Sequence, residues 1–450
     1  MLIPCIAFSQ NDTDLDNTFN SGSPNFNSQI VETNGKYLVY SYTYIAPNYI
    51  GTLHRLNNNG TVDNTFNFTG NFIGNQAFIE LQSDGKIIVC FAKYNNKGVT
   101  RFNSDGTIDN SFNLIPNITP RIIKLQNDGK IVYGGFSNTG DNNSSVSFGR
   151  LNSDGSSDTG FLTGTSFSRI GNSPTPTGIT TIKIANDGKI IIGGNFNRYN
   201  GNTTSGIARL NYDGTLDNTF ITGSGFDYNW TVVLDIEIQA DGKIVAGGGF
   251  STYNGASSSK LIRINTNGTK DNTFNPSINN EAYDIEIENG GKIIVGGTFT
   301  VATGGISKNR LCRFNSNGSI DSNFDILTGF NNSVLDVTID SNNKILIGGQ
   351  FTTYKDNSVN NIIRLKGTSN LSNDDFVENK INIYPNPVRE TIYLYNVGQI
   401  EYEIFDILGK SILRGINNEN QINVNSIENG VYILKLKAGE KISNQKFIKE

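Results

Sequence analysis

One sequence unit recurs seven times along this 450-residue chain, and that repetition restricts the fold more than any other feature. Its clearest copy runs from Thr181 to Phe220. The unit contains an Ile-rich segment, Asp-Gly-Lys, an apolar run ending in Gly-Gly, a polar loop, Arg-Leu-Asn, a second Asp-Gly and Asp-x-x-Phe. Short apolar runs separated by Gly, Asn and Asp predict four short β-strands joined by turns in each copy.

Two markers within the unit give the same number of copies. The lysine after the first turn is found at Lys36, Lys86, Lys130, Lys189, Lys243, Lys292 and Lys344. The closing phenylalanine is found at Phe19, Phe66, Phe112, Phe161, Phe220, Phe274 and Phe324. This spacing matches one four-stranded blade per repeat. We therefore predict an all-β, seven-bladed β-propeller over residues 11–367.

The two ends of the repeat array are complementary. The first copy consists only of the closing element around Asp16 and Phe19, whereas the last copy stops at Leu365 and lacks that element. A linear array needs polar caps at both ends. A ring in which the N-terminal strand completes the last blade pairs both edges instead. The sequence therefore predicts a propeller closed by its N-terminal strand.

An arginine and an aspartate eight residues apart predict the register of the outer hairpin in each blade. A three-residue loop between them places Arg209 opposite Asp217 and Leu210 opposite Leu216. We predict seven structural pairs of this kind, the last of them across the ring closure. The pairs are Arg55–Asp63, Arg101–Asp109, Arg150–Asp158, Arg209–Asp217, Arg263–Asp271, Arg313–Asp321 and Arg364–Asp16.

Paired glycines end the second strand of five blades, although glycine inside a strand is unfavourable. They are Gly134-Gly135, Gly193-Gly194, Gly247-Gly248, Gly296-Gly297 and Gly348-Gly349. Such glycines indicate a close approach of neighbouring backbones, and we expect it where adjacent blades converge. Blades one and two have Tyr40-Ser41 and Cys90-Phe91 at this position and are expected to pack differently.

The long loops of an antiparallel meander all leave the blades at one end, which makes that end the candidate ligand face. Aromatic and amide side chains in these loops suit a saccharide or a partner protein. The alternative, that Tyr and Asn only build the turns, stays open. The candidate residues are Tyr94, Tyr199, Asn200, Trp230, Tyr253, Asn254 and Tyr354.

Composition excludes several functions. The formal net charge is −5 and only 17% of residues are charged, without a basic cluster, so a nucleic-acid partner is not expected. The single histidine, His54, removes most histidine-dependent catalytic triads. Cys5, Cys90 and Cys312 do not form a disulfide framework by spacing. No apolar run after the N-terminus approaches the ~18 residues needed to span a bilayer.

Cofactor and catalytic patterns are weak. The stretch from Asn103 to Asp109 resembles the middle of a calcium-binding EF-hand loop, but Arg101 and Phe112 stand where carboxylates are needed. Calcium is the one cofactor considered, and we expect none. Asp141 and Asp227 are the acids in the variable loops that neither turns nor arginine pairing explain. Two such acids alone do not indicate a catalytic site.

The first ten residues, MLIPCIAFSQ, are similar to the end of a secretory signal peptide. The basic region that normally precedes the apolar run is missing, because the first Lys or Arg is Lys36. We therefore expect residues 1–10 to be the remnant of a longer signal peptide. A lipoprotein signal at Cys5 is the alternative, but Pro4 stands where a small residue is expected.

The composition changes after Leu365. Residues 368–376 read as a polar linker, and residues 377–450 alternate apolar and polar residues in short strands, which predicts a small β-sandwich. Four motifs occur there in order: Tyr-Pro-Asn-Pro-Val, Ile-Phe-Asp-Ile-Leu-Gly-Lys, Asn-Gly-Val-Tyr and a final Lys-Phe-Ile-Lys. The motif residues are Tyr384, Pro385, Asn386, Pro387, Gly409, Lys410, Gly430 and Tyr432.

These motifs resemble the type A C-terminal sorting domain of the type IX (Por) secretion system of Bacteroidota. The resemblance implies handling by the type IX machinery through residues 377–450, transport through the periplasm and outer membrane, removal of the domain, and release or surface attachment. Residues 11–367 resemble the delta-60 repeat family, on the Asp-Gly-Lys, Gly-Gly-x-Phe and Arg-Leu-Asn elements. That resemblance implies a propeller-like fold and no catalytic residues.

The combined prediction is a monomeric, secreted or surface-attached propeller that acts as a binding or adhesion module for an extracellular glycan or protein. The alternative is a secreted polysaccharide-degrading enzyme with its site on the long-loop face, because a ring of blades brings acids from different repeats together. A structural spacer is the third reading of the same sequence.

Overall fold

The computed structural model describes residues 12–20, 26–46, 48–68, 72–73, 77–91, 98–113, 120–135, 145–146, 148–161, 167–168, 177–227, 233–303, 306–367, 383–394, 400–407, 409–417, 421–438 and 441–450. The predicted signal-peptide remnant at 1–10 and the linker at 368–376 lie outside these residues. The chain divides into two compact units, Met1–Thr368 and Ser369–Glu450.

Unit one contains seven antiparallel blades whose first strands form a ring. The inner strands are Phe26–Thr33, Ala77–Leu81, Pro120–Leu125, Gly178–Ile184, Val233–Ile238, Ala282–Ile287 and Val334–Ile339. Each contacts the inner strands of the two neighbouring blades, and the last contacts the first. The predicted seven-bladed propeller is therefore confirmed.

The second and third strands follow the inner strand outward in every blade. The middle strands are Lys36–Ile45, Ile87–Phe91, Ile131–Gly135, Ile190–Asn195, Ile244–Gly248, Ile293–Thr303 and Ile345–Gly349. The outer strands are Asn48–Leu56, Gly98–Phe102, Phe148–Leu151, Ile207–Leu210, Leu261–Ile264, Ile306–Phe314 and Ile362–Leu365. Short additional strands are Phe72–Ile73, Ser145–Val146, Phe167–Ser168, Arg198–Tyr199, Asn202–Thr203, Thr252–Tyr253, Ala256–Ser257, Thr353–Tyr354 and Asn357–Ser358.

The fourth strand of each blade is shorter than the repeat pattern predicted. It consists of one bridging residue, and the bridges are Leu56–Val62, Phe102–Ile108, Leu151–Ser157, Leu210–Leu216, Ile264–Lys270, Phe314–Ile320 and, across the closure, Leu365–Leu15. The strand ends there because the following aspartate starts a turn, in which the Phe220 amide donates to the Asp217 carbonyl. The predicted three-residue loop is present, and Gly214 in it has a φ of 88°.

The N-terminal segment closes the ring by taking the place of the missing strand of blade seven. The Asp16 amide donates to the Arg364 carbonyl over 2.9 Å, and the Lys366 amide donates to the Asp14 carbonyl over 3.0 Å. A buried cluster that contains Phe19, Ile30, Tyr37 and Leu346 fills the space between blades seven and one. Closure therefore rests on strand pairing and on a shared apolar core.

The paired glycines make room at two different surfaces. A Cβ on Gly193 would lie 2.7–2.8 Å from Thr181, Val233 and Ile236, and the last two belong to the inner strand of the next blade. A Cβ on Gly194 would lie 2.2 Å from the Gly178 carbonyl oxygen of its own blade. Crowding between blades thus explains the first glycine, and close pairing within the blade explains the second.

Blade one packs differently at this position, as predicted. Tyr40 is fully buried, and its ring crosses to the neighbouring strand above Gly51. A Cβ on Gly51 would lie 1.6 Å from the Tyr40 hydroxyl oxygen, so glycine is required there. Blade one therefore places its glycine on the outer strand, under the tyrosine ring, and not on the middle strand.

Unit two is a small β-sandwich. One sheet contains Ile383–Tyr384, Thr391–Leu394 and Gln421–Asn423, and the other contains Ile400–Asp406, Ser411–Asn417, Gly430–Ala438 and Lys441–Lys449. Its buried cluster includes Val388, Ile392, Ile404, Leu434 and Phe447. The described part of the chain contains no helix with the length and apolar character needed to cross a membrane.

Candidate functional site

The predicted arginine–aspartate pairs form in all seven blades, and each includes a third partner. The arginine Nε lies 2.6–2.8 Å from the aspartate Oδ2. The lysine of Asp-Gly-Lys binds the same oxygen at 2.7–3.1 Å. The seventh triad joins Arg364 and Lys344 to Asp16 across the ring closure. Sequence reasoning missed the lysine, although its fixed place in every repeat was the available signal.

Each carboxylate uses its two oxygens for two purposes. In blade four, Oδ2 of Asp217 receives the charged donors, while Oδ1 accepts from the amide and the hydroxyl of Thr219 at 3.0 and 2.6 Å. Burial alone would raise the pKa of Asp217, but the bonds from Thr219, Lys189 and Arg209 hold it well below its usual range. The aspartate therefore stays charged while it fixes the turn.

The arginines also join consecutive blades. The Arg209 guanidinium lies 4.6 Å above the Phe220 ring, and its Nη1 donates to the Thr266 carbonyl in the next blade over 2.6 Å. Equivalent ring contacts at 4.6–4.9 Å occur in every blade. These side chains already bind other groups of the propeller, so their role at the Asp-Gly turns is structural.

The tyrosines predicted to face a ligand are buried, so that prediction is wrong for them. Tyr199, Tyr253 and Tyr354 are each 1% exposed. Their hydroxyls donate to backbone carbonyls, as in the 2.6 Å bond from Tyr253 to Gly268. Each lies in a cluster with phenylalanine rings; Tyr253, for example, packs on Phe226, which in turn packs on Phe250. The rings are buried because the loops fold back onto the blades instead of standing away from them.

The asparagines of the same loops are turn residues. Asn200 and Asn254 have φ values of 48° and 49° and are followed by Gly201 and Gly255 in the same left-handed region. This geometry is that of a tight two-residue hairpin, which Asn-Gly favours. The turn-forming alternative therefore accounts for both residues. The candidates Tyr94 and Trp230, and the acid Asp141, lie outside the described residues.

The inner strands contain a row of carboxylates that the sequence analysis did not single out. Asp235, Asp284 and Asp336 each accept a hydrogen bond from a backbone amide of the next blade. The amide of Val337, for example, donates to Asp284 over 2.6 Å. These three residues lie at the bulge where the inner strand shifts its register with the middle strand. They therefore connect blades five, six, seven and one.

Asp284 and Asp336 of this row, and Glu286 on the same strand as Asp284, hold their protons more tightly than ordinary carboxyl groups. Burial, and then the charges of Asp336 and Asp235, raise the pKa of Asp284 well above its usual range. Burial and the charge of Glu237 raise the pKa of Glu286 to about 8, and burial raises that of Asp336 to about 7. Lys183 forms an ion pair with Glu237 beside them.

The described acids that the sequence analysis considered for calcium binding or catalysis have hydrogen-bond or ion-pair partners within the protein. Across the described ranges, no three His, Cys, Asp or Glu side chains are grouped as a metal site. In the stretch that resembles an EF-hand loop, Asp105 accepts from Thr107, and Asp109 binds Arg101 and Lys86. The acid Asp227 accepts from the amide and the hydroxyl of Ser251.

An exposed tyrosine cluster stands at the end of the long hairpin of blade one. The strands Lys36–Ile45 and Asn48–Leu56 place Tyr44 directly opposite Tyr49 and Tyr42 opposite Gly51. The ring centroids of Tyr44 and Tyr49 are 4.9 Å apart, and those of Tyr42 and Tyr49 are 5.1 Å apart at 85°. We call Tyr42, Tyr44, Ile45 and Tyr49 the tyrosine tip.

The tyrosine tip is exposed in spite of its apolar surface. Tyr44 is 59% exposed and Ile45 is 60% exposed, whereas Tyr40, four residues before Tyr44 on the same strand face, is buried. Exposed aromatic clusters on soluble proteins mark contact sites. The tip extends from the connection between the middle and outer strands, which is the predicted ligand face. Sequence reasoning missed it, although the alternation Tyr40, Tyr42, Tyr44 is visible in the sequence.

The sorting motifs lie in the second unit around its last strand. Peptide bonds before Pro385 and Pro387 are cis. Between them, Asn386 accepts from the Ile448 amide at 2.9 Å and donates to the Lys446 carbonyl at 3.1 Å. The first motif is therefore bound to the C-terminal strand.

The two middle motifs of this unit fix a turn and a strand. Gly409 takes a φ of 82° in the turn where the Lys410 amide donates to the Asp406 carboxylate at 2.9 Å. Gly430 begins the long strand, and Tyr432 stacks on Phe447 with its hydroxyl donating to the Glu428 carbonyl at 2.9 Å. These motif residues are therefore accounted for by the local fold.

Fold and site together define a closed seven-bladed β-propeller followed by a separate sandwich domain. The chain belongs to the family described as "Domain of unknown function (DUF5122) beta-propeller". That family matches residues 32–66, 82–112, 126–161, 185–220, 239–274, 291–324 and 341–371, which together exceed half of the chain. Residues 382–450 match the "Secretion system C-terminal sorting domain". The protein is therefore exported by the type IX secretion system to the cell surface or beyond it.

Solved structures similar to this chain are distant in sequence. PorZ, an essential bacterial surface component of the type-IX secretion system of Porphyromonas gingivalis, is 14% identical at a TM-score of 0.43, with 96% of this chain and 60% of that chain covered. The extracellular domain of BT3049 from B. thetaiotaomicron is also 14% identical at 0.43, with 96% and 56% covered. Streptogramin B lyase is 14% identical at 0.46, with 78% and 96% covered.

The chain thus spans little more than half the length of the first two structures. No match is found among curated proteins. We draw no functional argument from likenesses at this level.

Proposed function

We propose that the exported propeller is a binding module at or beyond the cell surface, and that it makes contact through the tyrosine tip. The observation that carries this proposal is the exposure of Tyr44 and Ile45 at the end of a hairpin whose base is buried. Leaving such side chains in water forgoes the stabilisation of burying them, about 1.5–3 kcal/mol for a large apolar side chain. A contact made outside the folded protein accounts for that exposure.

The scaffold supports this proposal because it holds the tip in a fixed position. Leu53 and Tyr40 at the base of the hairpin are buried in the core between blades one and two. Binding residues placed on a rigid framework lose little conformational entropy on association. The propeller also forms a self-contained unit, separate from the sorting domain that directs its export.

The test is retention of ligands by the full-length protein. The protein would be applied to a glycan array and to immobilised extracellular proteins, and reducing-sugar release would be measured on every glycan that is retained. We expect retention without turnover, weakened by Tyr44→Ala. The control is Tyr393→Ala, which removes an exposed tyrosine of the second unit.

Two results would contradict the proposal. Failure of the wild-type protein to retain any ligand would favour the structural-spacer reading. Glycan turnover that is abolished by one acidic substitution on the long-loop face would favour the polysaccharide-degrading alternative.

A further inference from the structure

We propose that the ligand of the tyrosine tip is an uncharged carbohydrate chain, with the Tyr44 ring as its main stacking surface. This inference rests on the proposed function, because it names the ligand class of the same site.

The rings meet at angles instead of lying in one plane. Tyr44 and Tyr49 are cross-strand partners with their rings tilted at 50°, and Tyr42 meets Tyr49 nearly at a right angle. One ring can therefore lie under a ligand while another flanks it. A sugar ring offers an apolar C–H face and an equatorial belt of hydroxyls, and both complement these angled rings. A flat apolar protein surface would contact the three rings over a smaller area.

The part of the hairpin that carries the rings is itself uncharged. The segment from Tyr37 to Leu53 contains no Asp, Glu, Lys, Arg or His, in a chain whose net charge is −5. The rings carry their own hydroxyl groups, and Thr43 and Asn48 lie at the same tip on the opposite strand face. Such groups both donate and accept hydrogen bonds, as sugar hydroxyls do. A charged ligand would find no opposite charge on this part of the hairpin, which favours a neutral polysaccharide over an acidic one.

The support beneath the rings is rigid. Tyr40 lies on the same strand face as Tyr42 and Tyr44, and it is buried with its ring above Gly51. The row of tyrosines thus runs from the core to the tip without interruption. A preorganised aromatic surface with few rotatable bonds binds at low entropic cost. The tip therefore needs no rearrangement before it takes a sugar.

The experiment is affinity electrophoresis of the full-length protein in gels that contain one polysaccharide each. The uncharged set is hydroxyethyl cellulose, laminarin, dextran and starch, and the charged set is alginate and polygalacturonate. We expect slower migration of the wild-type protein in at least one uncharged gel and in neither charged gel. Tyr44→Ala should weaken that binding about tenfold or more, since central tyrosines dominate such contacts.

Two further variants make the result specific. Tyr44→Phe keeps the stacking ring and should stay within about threefold of the wild-type affinity, a difference of about 0.7 kcal/mol. Tyr393→Ala should migrate as the wild type does. Equal thermal midpoints of all variants would show that folding is unchanged, as the exposure of Tyr44 leads us to expect.

The outcomes separate this inference from the proposed function. Binding of a neutral polysaccharide that Tyr44→Ala leaves unchanged would overturn the inference. So would retention of charged polysaccharides or of proteins alone, and in that case the proposed binding function would stand. If the wild-type protein retained neither glycans nor proteins, both would fall.

Discussion

At the residue scale, the aspartate of Asp-x-x-Phe is the most heavily used side chain of each repeat. Asp217 fixes the turn through Thr219 with one oxygen and binds Lys189 and Arg209 with the other. The sequence predicted the arginine partner, because spacing and hairpin register determine it. It did not predict the lysine, whose side chain reaches the carboxylate from a turn 28 residues earlier in the chain.

Replacing this aspartate should be costly. Asp217→Ala is expected to lower the free energy of unfolding by about 3–5 kcal/mol, because it leaves a largely buried arginine without its counter-charge. The measurement is urea-induced unfolding. The control is Asp213→Ala, which removes an exposed turn carboxylate that accepts from Thr215 and should cost about 1 kcal/mol. Equal losses in the two variants would contradict the buried-pair argument.

At the element scale, the inner strands combine features that the sequence explains to different degrees. Paired glycines predicted close contact between blades, and Gly193 meets Val233 and Ile236 of the next blade. The sequence did not predict that Asp235 and Asp284 contact the next blade, because polar residues on alternate strand positions usually face solvent. Their partners are backbone amides of another blade, and that pairing depends on a bulge whose position the sequence does not show.

The row of carboxylates should make the propeller sensitive to alkaline pH. The folded-state pKa of Asp284 is raised, so its stabilising effect is present below the unfolded value near 4 and is lost as the pH rises. Asp284→Asn removes the charge and keeps an oxygen that can accept from Val337. We expect this variant to melt about 2 °C higher than the wild type at pH 8.

The difference between the two proteins should disappear near pH 4, where both side chains are neutral. Differential scanning calorimetry at both pH values measures it. An unchanged difference across the pH range would show that the charge of Asp284 does not limit stability.

The ligand region also belongs to the element scale, and here prediction from sequence failed. Tyr199 and Tyr253 looked like loop residues but lie in aromatic clusters, because their hairpins fold back onto the blade. Tyr42 and Tyr44 were not among the predicted ligand residues, yet the hairpin places Tyr44 in solvent. Burial in both cases depends on the path of the chain after the strand, which local sequence does not determine.

At the scale of the whole molecule, the sequence predicted the architecture well. Counting markers gave seven blades, and the complementary ends gave the closure at Leu15 and Leu365. Both predictions rest on comparing seven copies of the unit, so one irregular copy does not change them. The closure has one adaptation that repetition could not reveal. Arg313, which has no complete hairpin in the next blade, binds the Asp12 carboxylate at 2.9 Å where other arginines bind a hairpin carbonyl.

A covalent link across the closure should stabilise the ring. Leu15 and Leu365 are flanked by hydrogen bonds on both sides, so they form the close, non-hydrogen-bonded kind of antiparallel pair that suits a disulfide. The double variant Leu15→Cys/Leu365→Cys should melt at a higher temperature when oxidised than when reduced, because the link closes a very long loop. Each single cysteine variant is the control, and it should show no redox dependence.

The N-terminal strand that closes the ring is synthesised before the blades, but it can pair only when the last blade is present. Its partner strand is synthesised some 350 residues later, so a growing chain must keep two complementary edges apart until the final blade is complete. Until then, the free N-terminal segment of one molecule can enter the unfinished blade of another and link them head to tail. Refolding at low protein concentration should therefore favour single closed rings. Refolding at high protein concentration should favour chains linked by strand exchange.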